Sequence, residues 1–213
     1  MNIYCFSGLG ADKTVFQYLK IEEVKLHFVE WIQPLKNESL ESYSQKIVNT
    51  LDLQTPYSFM GVSFGGMIAI EASKITNPSN VFLVSSAQSS LEIPFLFRLL
   101  ARTKLYNIVP DLFFRTPNFF AQFLFGTSCV TEKKLLNEII RNTEVKFLKW
   151  ALGAIVKWDP KENGMAIRIH GGKDRILPLR NQKIDLRIEN GSHFLIVSHA
   201  DQVSEFVSLF AKP

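Results

Sequence analysis

Short apolar runs alternate along the chain with stretches whose apolar residues recur at helical spacing. Residues 2–7, 24–31, 57–60, 80–85, 166–170 and 185–189 have the length and apolar character of buried strands. Between them the spacing predicts helices. One spans 12–19, with Val15, Phe16 and Leu19 on one face, and one spans 39–51, with Leu40, Tyr43, Ile47 and Leu51 aligned. Others span 64–74, stopped near Asn77 and Pro78, and 202–210. Strands alternating with helices predict βαβ units. The expected class is therefore α/β, a mostly parallel six-stranded sheet flanked by helices.

The alternation breaks between the fourth and fifth strands. A structureless loop over residues 88–160 would be implausible, and Leu135 to Trp158 has a helical pattern. A single domain is expected, with a core of 1–87 and 161–213 and a helical cap inserted at 88–160. Eight of the 18 phenylalanines fall within residues 95–125, interleaved with Arg98, Arg102, Lys104 and Arg115. These rings would form the buried core of the cap or an apolar acyl pocket, with Phe119 and Phe123 as candidate substrate contacts. The cations could meet an anionic leaving group or a peripheral membrane surface.

Composition narrows the class without changing it. Hydrophobic residues make up 46% and charged residues 21%, as in folded soluble domains and unlike disordered chains. The longest nearly apolar stretch, 59–70, is too short for a spanning helix. The first residues read as a strand and not as a signal peptide. Cys5 and Cys129 offer neither a disulfide framework nor metal spacing. Both are expected to be reduced packing residues of a cytoplasmic protein. The net charge of +4 is too small to suggest nucleic acid as a partner.

The densest chemical signal is Gly61-Val62-Ser63-Phe64-Gly65-Gly66, set between a strand and a helix. That is the context of a G-x-S-x-G nucleophile turn. A serine on so sharp a turn takes a strained backbone, and side chains two residues away would collide with it. Gly61 and Gly65 relieve this, although a Gly-rich helix start packed on a strand would read the same way. Ser63 needs a base. Of four histidines, His193 follows the last strand and can reach it, whereas His27, His170 and His199 fit packing or exposed roles better. Asp174, in the loop after the fifth strand, is the candidate carboxylate, ahead of Asp185 and Asp201. Backbone N–H groups of Leu9, in Ser7-Gly8-Leu9-Gly10, and of Phe64 are candidates for an oxyanion hole.

Ser7-Gly8-Leu9-Gly10, the Ser63 turn, the Asp174 segment and Gly191-Ser192-His193 together resemble the α/β-hydrolase superfamily over nearly the whole chain. The order serine, aspartate, histidine is the order of that fold. The chain departs from it in opening at the family's third strand, in carrying Ser7 where a histidine is frequent, and in having a short link from Asp174 to His193. The resemblance implies a compact serine hydrolase that cleaves an ester or thioester of a small, apolar acyl substrate, with no metal or organic cofactor. A small-ligand receptor or signalling partner on the same fold is the alternative.

Overall fold

The computed structural model describes residues 1–159 and 165–210. The expected boundary between cap and core at 160–161 lies outside the described residues. The strands are β1 (Asn2–Phe6), β2 (Lys25–Phe28), β3 (Tyr57–Val62), β4 (Val81–Val84), β5 (Ile167–Gly171) and β6 (Leu186–Ile188). They form one sheet in the order β2-β1-β3-β4-β5-β6. Every pairing is parallel, so the sheet is more uniform than expected. The helices are α1 (Leu40–Val48), α2 (Phe64–Ile75), α3 (Phe95–Thr103), α4 (Asp111–Arg115), α5 (Phe119–Phe125), α6 (Val130–Asn142), α7 (Val145–Ile155), α8 (Leu195–Ser198) and α9 (Ala200–Ser208).

Whereas the edge strand β2 is partly exposed, the inner strands β1, β3 and β4 are covered on both faces, which is why they read as nearly continuous apolar runs. The two-residue period divides them between two cores. Tyr4, Phe6, Tyr57, Phe59, Val81 and Leu83 face α1, α2 and α7. Ile3, Cys5, Met60, Val62, Phe82 and Val84 face the α6, α8 and α9 side. From β1 the chain goes first to β2 on one side and then to β3 on the other. The crevice beyond the C-terminal ends of β1 and β3 is therefore the topological switch point, where open α/β sheets bind ligands.

The expected helix over 12–19 is only a 3₁₀ turn, Lys13–Phe16. It buries Val15 and Phe16, and the Lys20 N–H is taken by Ser204 Oγ of α9 at 2.9 Å. So short a segment gains little from helix propagation once one turn has buried its apolar side chains. The helical stretch expected from 135 to 158 is split into α6 and α7 at Thr143. Glu144 caps the second helix by accepting the N–H groups of Lys146 and Phe147. Cys5 is buried, whereas Cys129 is exposed, which corrects the expectation that both pack inside.

The insertion has two characters. Leu135 and Leu136 of α6 belong to one core, and Phe147, Ala151, Ala154 and Trp158 belong to the other. Two indoles fasten this half to the sheet side: Trp150 Nε1 donates to Glu38 O at 2.9 Å, and Trp158 Nε1 to Glu71 Oε1 at 2.7 Å. The first half is different. Of α3 only Ala101 is buried, and α4 and α5 bury no residue. The phenylalanine-rich stretch is thus not the buried core of a cap. Among the described residues no helix is long and apolar enough to cross a membrane.

Candidate active site

Ser63 lies between β3 and α2 with φ 51° and ψ −118°. A non-glycine residue there costs about 1–3 kcal/mol and persists only where its surroundings impose it. Three hydrogen bonds do so. Ser63 N–H donates to Val84 O at 2.9 Å, and Ser63 O accepts from Gly66 N–H at 3.0 Å and from Ser86 Oγ at 2.6 Å. The turn closes so tightly that a Cβ on Gly61 would lie 2.4 Å from Gly65 O. One on Gly65 would lie 2.2 Å from Phe6 O. The glycine spacing read from the sequence therefore has a steric cause at both positions.

Ser63 Oγ is 3.0 Å from His193 Nε2, and His193 Nδ1 is 2.8 Å from Asp174 Oδ2. Three side chains from three strand ends thus form one hydrogen-bonded line at the switch point. His193 and Asp174 are buried, at 4% exposure each, while Ser63 is half-buried. Phe125 lies edge-on to the imidazole, with ring centroids 5.5 Å apart. Phe194 N–H donates to Phe125 O at 3.2 Å, so the end of α5 and the histidine loop position one another.

Asp174 is held by more than its histidine. Oδ1 accepts the N–H groups of Ile176 at 2.9 Å and Leu177 at 2.8 Å. Oδ2 also lies 3.3 Å from His170 Nε2. That nitrogen is 2.8 Å from Leu177 O, which can only accept, so His170 carries its hydrogen on Nε2. Burial pushes the Asp174 carboxyl upward. The His193 charge and the hydrogen bonds from His170, His193 and Leu177 more than offset this and hold it well below the usual carboxylate range. His170, weighed in the sequence as a rival base, instead supports the acid from behind. Its one sequence signal was its place four residues before Asp174.

The other rivals lie elsewhere. His27 stacks on Tyr4 at 4.7 Å and pairs with Asn2. His199 Nδ1 meets Ser198 Oγ. Asp185 caps the Arg168 N–H, and Asp201 sits in the first turn of α9.

The loop after β1 lies against Ser63: a Cβ on Gly8 would be 3.8 Å from Ser63 Cβ. Ser7 Oγ donates to Ala11 O at 2.8 Å and pins this loop. Among the described residues, the N–H groups of Leu9 and Phe64 donate to no protein acceptor outside regular elements, and Phe64 is the first residue of its helix. Both are thus left free for a ligand oxygen. The proposed pocket contacts fare differently. Phe119 is 80% exposed and Phe123 47% exposed, so neither lines an enclosed pocket. Phe123 instead carries the Arg175 guanidinium 4.1 Å over its ring.

No protein-family model matches the chain. Over 75 residues it is 35% identical to tyrocidine synthase 3 of Brevibacillus parabrevis, a match covering 34% of this chain and 1% of that protein. Solved structures similar over nearly the whole chain include the following three. A lipase-esterase related protein from Clostridium acetobutylicum has a TM-score of 0.74 at 14% identity, covering 98% of this chain and 93% of that one. An esterase from Exiguobacterium antarcticum has a TM-score of 0.72 at 14% identity, covering 100% and 92%. The RedJ thioesterase from the prodiginine pathway of Streptomyces coelicolor has a TM-score of 0.62 at 14% identity, covering 98% and 89%. At these identities the likeness is one of fold.

Proposed function

On the α/β-hydrolase fold that this chain adopts, we propose a serine hydrolase that cleaves an ester or thioester of a small acyl substrate. The observation that carries this reading is the continuous line from Ser63 Oγ through His193 to Asp174, at 3.0 and 2.8 Å. The similar esterases and the RedJ thioesterase favour these two bond types over amides.

In this reading Asp174 keeps the His193 proton on Nδ1, leaving Nε2 to accept the Ser63 proton. Ser63 Oγ attacks the carbonyl carbon, and the Leu9 and Phe64 N–H groups receive the oxyanion. Each such donor contributes about 10²–10³-fold to the rate. The tetrahedral intermediate collapses, and His193 Nε2–H protonates the leaving oxygen or sulfur. Water then attacks the acyl-enzyme, giving its proton to His193; as that tetrahedral intermediate collapses, His193 returns the proton to Ser63 Oγ and the acid departs. The exposed outer rings of the cap leave the acyl preference to inner residues such as Phe125, which lies edge-on to the imidazole.

A fluorophosphonate probe tests the reading. It should label Ser63, and Ser63→Ala should lose both labelling and roughly 10³-fold or more of kcat/KM on p-nitrophenyl esters. Wild-type turnover in that variant would falsify the assignment. Ligand binding without labelling would favour a receptor.

A further inference from the structure

We propose that the outer face of the cap, residues 91–123, docks on a lipid bilayer containing anionic lipids. Among the described residues, 13 of the 20 exposed large apolar side chains fall in this stretch. They include Phe95, Leu96, Ile108, Leu112, Phe113 and Phe120, all more than 60% exposed. So dense an exposed apolar surface is costly in water and marks a contact surface. Three short helices that bury almost nothing of their own offer projecting apolar side chains to a fluid apolar medium.

Charge selects the occupant. The two acids of the stretch are already engaged: Glu92 by Arg168 at 2.7 Å and Asp111 by Lys149 at 2.9 Å. Arg102 and Lys104 are exposed and, among the described residues, form no ion pair, whereas Arg98 turns its Nε inward. Arg102 and Lys104 also border a cleft of about 650 Å³ whose rim continues with Lys36, Lys146 and Lys157. The carboxylates of that cleft are Glu38 and Glu41, and Glu38 is paired with Lys46 at 3.0 Å. A second copy meeting this face through a two-fold axis would bring these cations against their own equivalents. An anionic leaflet instead supplies apolar depth beneath a negative surface, as amphipathic interfacial elements require.

The inference stands on residues apart from the Ser63 line, so it can fail while the hydrolase reading survives. The probes are vesicles of phosphatidylcholine alone and vesicles that also contain phosphatidylglycerol, assayed by flotation. At about 1 kcal/mol per cation, the two exposed cations predict roughly 30-fold stronger binding to the anionic vesicles, weakened by added salt. Leu112→Ser with Phe113→Ser should reduce binding about tenfold or more. Arg102→Glu with Lys104→Glu should abolish the preference for anionic vesicles. Both pairs are exposed, and thermal unfolding followed by circular dichroism serves as the check on folding. Equal binding to both vesicles, no binding to either, or a solution dimer dispersed by the Leu112 and Phe113 changes would overturn the proposal.

Discussion

Replacing Asp174 by asparagine separates orientation from packing, because the two side chains have nearly the same shape. The Ile176 and Leu177 N–H groups both donate to Oδ1. They oblige an asparagine to keep its carbonyl oxygen there. The amide nitrogen must then occupy the Oδ2 position, facing His193 Nδ1 and His170 Nε2. His193 can accept from that nitrogen only by moving its proton to Nε2, the atom 3.0 Å from Ser63 Oγ. The base then has no lone pair for the serine proton. His170 fares no better: its Nε2 hydrogen is required by Leu177 O and now meets another donor. The reversed tautomer should cost about 10⁴-fold in kcat. The opposed donors should cost about 1–3 kcal/mol of stability. Ester hydrolysis with thermal unfolding measures both. A kcat loss below tenfold in a folded variant would refute the hydrogen-bond argument.

Three further outcomes follow from the same geometry. In Gly65→Ala the new methyl would overlap Phe6 O, pushing α2 and the Phe64 N–H away from the Leu9 loop. A displacement near 1 Å should cost about 10²-fold in kcat/KM, and unchanged kinetics would show that the turn does not set the oxyanion site. The Asp174 carboxyl is held below its unfolded value near 3.9. It therefore adds stability above about pH 4 that is lost as pH falls further. Urea unfolding of the wild type should consequently drop more steeply below pH 4 than that of Asp174→Asn, and parallel curves would contradict the assigned direction. Trp158→Phe leaves Glu71, 3% exposed, with Lys74 as its remaining partner. It should lower stability by about 1–3 kcal/mol in a denaturant titration, and an unchanged midpoint would argue against that anchor.

Several features were legible in the chain because they are local. Strands buried on both faces need no alternation, so their apolar runs are marked by composition alone. Gly61 and Gly65 mark the turn because no Cβ fits there. Ser63, Asp174 and His193 stand out because each follows a strand, and a parallel sheet brings all such ends to one edge. The tertiary structure decided what depends on distant partners. It reduced 12–19 to a single turn that buries Val15 and Phe16. It oriented His170 behind Asp174 through Leu177 O, a contact that the four-residue spacing by itself does not set. It also divided the insertion: apolar side chains of α6 and α7 enter the two cores, whereas most of those of α3, α4 and α5 stay exposed. Composition reports how apolar a side chain is, whereas burial depends on whether another surface is there to receive it.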